Sequence, residues 1–333
     1  MYLCAVSFET DFFTALKEPN INFEEMALTL FRFQAEHVPV YRQFLELLHC
    51  SPKMVTQLDQ IPFLPVSFFK SHQIRNAANT STFYFTSSST GGIPSQHFVP
   101  EIKIYEWSFN ATFNHFYGPH TELCILGLLP SYLERTGSSL VYMVSQMIQE
   151  SKYPKSNFFL TDFKALHQQL IENERQRIPT LLIGVTYALL DFANQFPVPL
   201  SSTMVMETGG MKGRRQEMQR SEIHSVLKQQ FELANIHSEY GMTELLTQAY
   251  SKGNGIFEVP NWMRVFAADL NDARTLLAKD KSGSLNVIDL ANIHSCAFIA
   301  TDDLGIVHQN NTFEILGRKD FSDIRGCGLM YIP

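Results

Sequence analysis

What this sequence lacks narrows its function before any motif is read. Its cysteines are few, at positions 4, 50, 124, 296 and 327, with no CxxC pair and no disulfide-like spacing. That fits a reduced, cytosolic chain rather than a disulfide scaffold. No apolar run is long enough to span a bilayer, the longest being around 123–130 and 180–190. The start, "MYLCAVSFETDFF", has no basic region followed by an apolar one, so no secretory signal is expected. Positive charge is scarce as well, with 26 Lys and Arg against 33 Asp and Glu and a net charge of −7. The densest basic run, Lys212-Gly213-Arg214-Arg215, is too short to hold a nucleic-acid backbone. The 11 histidines include no HxH or HExxH spacing, which removes a metal-dependent hydrolase from consideration.

What is present is ample material for a core. The chain has 333 residues, 45% of them apolar, enough for one large domain or two smaller ones. Residues 22–48 carry apolar side chains at helical spacing, and Pro39 is expected to kink or split that helix. "IPFLPVSFFKSH" (61–72) has two prolines and reads as an irregular or extended crossing. Residues 80–99 read as strand, small-residue loop and strand. Residues 180–196 read as a buried strand leading into a helix, and 201–210 as a strand ending in a glycine turn. In 220–233, Ile223, Val226, Leu227 and Phe231 fall on one helical face, and 283–292 and 296–305 read as strands. The mixture predicts an α/β fold.

Four stretches carry chemical potential, each with a plainer alternative. "FTSSSTGGIPS" (85–95) places Ser87, Ser88, Ser89, Thr90, Gly91 and Gly92 after a β-like run. Hydroxyls and close-approaching backbone N–H groups there suit phosphate oxygens, although a serine-rich surface turn would look the same. It is not the lysine-terminated nucleotide loop, because no Gly-Lys-Ser/Thr follows. "METGGMKGRR" (206–215) puts Gly209 and Gly210 at a tight turn, where a flat base could lie against the backbone, with Lys212 close by. An ordinary strand-to-helix turn is the alternative. "YGMTELL" (240–246) places Tyr240, Gly241, Thr243 and Glu244 after a strand-like run. If a helix begins near Met242, its N-terminus favours an anion. Thr243 then adds a hydroxyl for phosphate and Glu244 a hard oxygen ligand for Mg²⁺. Capping by Thr243 and dipole complementation by Glu244 explain the pair equally well. Finally, Asp303 in "ATDDLG" suits ribose hydroxyls, and Arg318 in "GRKD" suits ribose or phosphate oxygens, though either residue alone is more often part of a turn.

The order of these motifs resembles the adenylate-forming superfamily of acyl-CoA synthetases, luciferase-type enzymes and peptide-synthetase adenylation domains. Tyr240-Gly241-Met242-Thr243-Glu244 matches its most specific motif. Thr301-Asp302-Asp303-Leu304-Gly305 matches with Asp302 in a usual glycine position, and Gly317-Arg318-Lys319-Asp320 matches its hinge. The serine loop is one residue longer than the common form, with Ser95 where many members have lysine. The resemblance implies the large N-terminal domain of that fold, mixed sheets with flanking helices, over 1–316, with 1–60 as a helical lead-in. It also implies ATP and Mg²⁺ as cofactors. The chain ends 13 residues after Asp320, so the small C-terminal domain and its lysine are expected to be absent.

In that respect, and in "IPFLPVSFFKSH", the sequence is similar to the long-chain acyl-protein synthetases of bacterial luminescence. Their resemblance implies a fatty acid activated as acyl-AMP and passed to a cysteine near the C-terminus. Cys327, in a hinge-like tail at 317–333, stands in that position. It lies nine residues past Arg318, within at most ~30 Å along an extended chain. An acyl-accepting reductase or carrier protein is the implied partner, and Lys212 is the candidate replacement for the absent lysine. The alternatives are an acid:CoA or acid:carrier ligase of the phenylacetate-ligase type and an inactive nucleotide or acyl binder.

Overall fold

Prolines and buried apolar runs place the first elements. A computed structural model describes residues 2–87, 92–130, 137–209 and 218–319, with backbone alone over 2–7. Helices α1 (Tyr2–Leu16), α2 (Phe23–His37) and α3 (Pro39–Leu47) open the chain. Asn22 caps α2 by accepting from Glu25 N. Pro39 begins α3, where its missing N–H costs nothing, so the proline splits the helical stretch as expected. A short strand β1 (Leu64–Pro65) and helix α4 (Phe68–Ser71) follow. The serine-rich stretch is flanked by an antiparallel pair, β2 (Tyr84–Thr86) and β3 (Gln96–Phe98), with Phe85 opposite His97. Helix α5 (Ile102–Tyr117) leads into the first large sheet.

That sheet contains β4 (Cys124–Leu128), β5 (Asn157–Phe158), β6 (Thr180–Val185), β7 (Thr203–Thr208), β8 (His237–Tyr240) and β9 (Ala249–Ser251) in the order β5-β4-β6-β7-β8-β9. All neighbours are parallel except β8 and β9. Helices α6 (Ser139–Glu150), α7 (Phe163–Gln176), α8 (Thr186–Gln195) and α9 (Arg220–Phe231) connect its strands. Every residue of β4 and β6 is buried, as parallel strands covered on both faces require. On α9 the buried residues are Ile223, His224, Leu227 and Phe231, while Val226 is only partly covered.

The second sheet is antiparallel along β10 (Ile256–Phe257), β14 (Phe313–Arg318), β13 (Phe298–Val307), β12 (Ser282–Asp289) and β11 (Met263–Ala268), in that spatial order, with β1 added in parallel to β13. Helix α2 locks onto this sheet through a buried amide. Gln34 donates to Asn292 O at 2.7 Å and Ile293 O at 3.1 Å, and accepts from Ala297 N at 2.9 Å. Among the described residues, no helix is long and apolar enough to cross a membrane. The described free cysteines are Cys50, Cys124 and Cys296; Cys327 lies outside the described residues.

Gln34→Leu would keep the shape of the side chain but strand two buried carbonyls and an N–H. Unfolding free energy should fall by about 3 kcal/mol. Urea denaturation checks this, and an unchanged midpoint would show that the 292–297 segment does not depend on α2.

Candidate active site

At the ends of β8 and β14 and the middle of β13, three residues converge from the two sheets. Tyr240 closes β8, and Asp303 on β13 stands directly across from Arg318 on β14. The Tyr240 hydroxyl donates to Asp303 Oδ2 at 2.8 Å, and Arg318 Nε donates to Asp303 Oδ1 at 3.1 Å. Asp303 is nearly buried at 7%, whereas the Arg318 side chain is 78% exposed. A held carboxylate therefore sits beside an outward cation, the arrangement expected for sugar hydroxyls and phosphate oxygens. The Tyr240 ring meets Phe257 and Phe313 edge-on, and burial, followed by the Asp303 charge, pushes its hydroxyl up, so it remains a proton donor.

The stretch after Tyr240 is not a helix. Residues 243–244 form a turn, and the chain reaches strand β9 by Ala249. The expectation of a helix N-terminus near Met242, and of its dipole, is overturned. The cause is Asp289, more than 40 residues away. Its Oδ2 accepts from Leu246 N at 2.8 Å and Thr247 N at 3.0 Å, and its Oδ1 from the Thr247 hydroxyl at 2.6 Å. These interactions hold the segment in a non-helical path. Burial pushes the Asp289 carboxyl up, while those donors oppose the shift.

Within the turn Thr243 is partly exposed and Glu244 is buried at 5%. Burial raises the Glu244 proton affinity, with the Ser95 hydroxyl opposing and the charges of Arg318 and Lys70 acting in the same direction as Ser95. Lys70 also acts on Asp302, whose carboxyl burial pushes up. Composition gave no reason to choose Lys70. Its only sequence signal was its place in "IPFLPVSFFKSH".

Gly241 has a steric reason to be glycine. A Cβ there would lie 2.5 Å from Glu239 Oε1. Glu239 accepts from the Thr208 hydroxyl and is 8% exposed. Nearby, Glu207 accepts from Thr186 at 2.9 Å and from Arg220 at 3.2 Å. Gly209 ends β7 with φ +69°, a left-handed conformation that favours glycine, and its carbonyl accepts from Thr186 at 2.8 Å.

Of the expected loop, Ser87 and Gly92 are in view. Ser87 Oγ accepts from Ser95 N at 2.8 Å, so it closes the base of the β2–β3 pair, and Gly92 is exposed with open space around it. Ser88, Ser89, Thr90, Gly91, Gly210, Lys212 and Cys327 lie outside the described residues. Sequence reading marked Ser95 only as standing where many family members have lysine, and it passed over His97, Asp289 and Asn292. Ser95 precedes β3, which carries His97, and Asn292 lies three residues past Asp289, the last residue of β12.

Burial raises the Glu239 carboxyl from 4.5 to about 7, with Thr208 opposing and the Glu207 charge adding to the rise. A raised folded-state pKa gives stability that is complete below the unfolded value and lost as pH climbs through the folded one. Wild type should therefore lose stability relative to Glu239→Gln between pH 4.5 and about 7, by about 3 kcal/mol in total. Denaturant midpoints across that range check it, and parallel curves for the two proteins would contradict it.

With this geometry in hand, the relatives take on meaning. The chain is similar to two long-chain-fatty-acid–luciferin-component ligases. The one from Vibrio harveyi is 28% identical over 317 residues, covering 87% of this chain and 82% of the relative. The one from Aliivibrio fischeri is 23% identical, covering 92% and 86%. In fold it is similar to 2-hydroxyisobutyryl-CoA ligase, with a TM-score of 0.64 at 11% identity, over 90% of this chain and 70% of that one. It is also similar to MatB from Rhodopseudomonas palustris, with a TM-score of 0.51 at 14% identity, covering 71% of this chain but only 47% of MatB. The mixed α/β fold is thus that of adenylate-forming enzymes, and this chain spans about half the length of some of them. The family model described as acyl-protein synthetase, LuxE, matches residues 8–331, and the chain belongs to that family.

Proposed function

We propose that this protein activates a long-chain fatty acid with ATP and transfers the acyl group to its own Cys327. The observation that carries the reading is the convergence of Tyr240, Asp303 and Arg318 beside Thr243 and Glu244, in a chain that matches the acyl-protein synthetase family. Asp303 would accept the ribose hydroxyls. The exposed end of Arg318 would meet ribose or phosphate oxygens. Gly209 and Gly210 would leave room for adenine beside Tyr240, and Thr243 with the 87–92 loop would grip phosphate.

The first step joins a carboxylate oxygen of the acid to the α-phosphorus and expels pyrophosphate, giving acyl-AMP. Such a displacement needs positioning and charge stabilisation more than covalent help from the protein. Glu244, a carboxylate next to Thr243, would offer a hard oxygen to a Mg²⁺ ion that the substrate phosphates also bind. When bound, that ion supplies charge neutralisation on the substrate phosphates. The charges of Lys70 and Arg318 act on Glu244, and Lys212 remains the candidate to take the part of the family's lysine. In the second step the Cys327 thiolate attacks the acyl carbon, the thioester forms and AMP leaves. The tail at 317–333 would carry the thiol to the adenylate, and a reductase or carrier would receive the acyl group afterwards.

Incubating the protein with Mg-ATP and a mixture of fatty acids should add one acyl mass to wild type, removable by hydroxylamine, and none to Cys327→Ala. Intact-protein mass spectrometry reads the result. An adduct that persists on Cys327→Ala, or no adduct on either protein, would contradict the self-acylation step. Transfer to added coenzyme A without an adduct would favour an external-thiol ligase.

A further inference from the structure

The turn that carries Thr243 and Glu244 belongs to no helix and no strand, so its carbonyls need partners from elsewhere. Two buried side chains supply them. His97 Nδ1 lies 2.8 Å from Thr243 O, across 146 residues of sequence. Asn292 Nδ2 donates to Glu244 O at 2.8 Å, from 48 residues away. His97 is 1% exposed and Asn292 is fully buried. A carbonyl oxygen only accepts, so Nδ1 carries the ring hydrogen. Burial lowers the His97 pKa to about 4, so the ring stays neutral in that one tautomer at ordinary pH. The ring also interacts with the Asn292 side chain, which favours the charged form as the Thr243 carbonyl does but is outweighed by burial.

We infer that His97 and Asn292 are positioning residues, which fix the two successive peptide planes flanking Glu244 and so aim the Thr243 hydroxyl and the Glu244 carboxyl at the nucleotide. The two donors approach from different sheets. His97 sits on β3, and its ring meets Phe69 of α4 edge-on at 5.6 Å. Asn292 follows β12, and its own backbone carbonyl is held by Gln34 of α2. Neither residue contacts the substrate in this account. Each works by holding a carbonyl whose peptide plane sets the direction of the next side chain. The inference rests on the proposed nucleotide role of Thr243 and Glu244.

The tautomer gives the test its discrimination. The amide nitrogen of asparagine can occupy the place of imidazole Nδ1, whereas that of glutamine sits one carbon further out, where Nε2 was. ATP–pyrophosphate exchange with a fatty acid should therefore fall by about 100-fold in kcat/KM for His97→Gln, as expected for a misplaced active-site group. His97→Asn should recover most of that loss, although both variants sacrifice the same ring packing. Asn292→Asp, which swaps the donor for an acceptor of the same shape, should lose activity as His97→Gln does. In all three the loss should lie mainly in kcat, with melting temperatures that do not track it. Equal exchange by His97→Gln and His97→Asn, or a loss that follows melting temperature across all three, would overturn the positioning role alone. If His97→Gln fails to fold, full exchange by Asn292→Asp would still overturn it. Wild type that supports no ATP–pyrophosphate exchange with any fatty acid would overturn the nucleotide reading itself.

Discussion

The structure depends on how a buried stretch of irregular backbone satisfies its hydrogen bonds. Residues 243–247 run between a parallel strand and an antiparallel one without joining either ladder. In a buried segment each unpaired N–H or C=O is costly, on the order of 1–3 kcal/mol. Asp289 takes two N–H groups and a hydroxyl, Asn292 supports one carbonyl and His97 another. These side chains come from the second sheet and from the β2–β3 pair, so the turn has its shape only when those parts have assembled around it. The motif is therefore a product of the whole fold, even though its five residues are contiguous.

The same logic places the rest of the site. Asp303 and Arg318 are 15 residues apart in sequence but paired across two antiparallel strands, and Tyr240 reaches them from the other sheet. A ligand bound at Asp303 would feel both sheets at once. Gly241 lets the backbone pass the Glu239 carboxyl so closely that a side chain there would push Glu239 aside. Close by, the buried carboxylates of Glu207 and Glu239 are held by Thr186, Thr208 and Arg220. Burial raises proton affinity at Glu239 and Glu244 alike, which marks this region as one that would welcome positive charge.

Much of this was legible in the sequence where the signal is local. Pro39 was expected to kink or split a helix and splits α2 from α3, the β2–β3 pair followed from the residues flanking the serine loop, and 180–196 read as the buried strand and helix that β6 and α8 prove to be. The order of motifs pointed to the adenylate-forming fold. The run after Tyr240 misled because its local propensity is helical, while Asp289, remote in sequence, captures the N–H groups a helix would need. His97, Asn292 and Gln34 were invisible for a related reason. Each has as its partner a distant backbone atom that no periodicity announces.

The most direct measurement is a crystal structure of the protein with a non-hydrolysable acyl-adenylate analogue. The account predicts ribose hydroxyls on the Asp303 carboxylate, Arg318 beside them, and the phosphate mimic against Thr243 with the 243–247 turn unchanged. An adenylate bound away from Asp303, or a turn that rewinds into helix around the ligand, would contradict it.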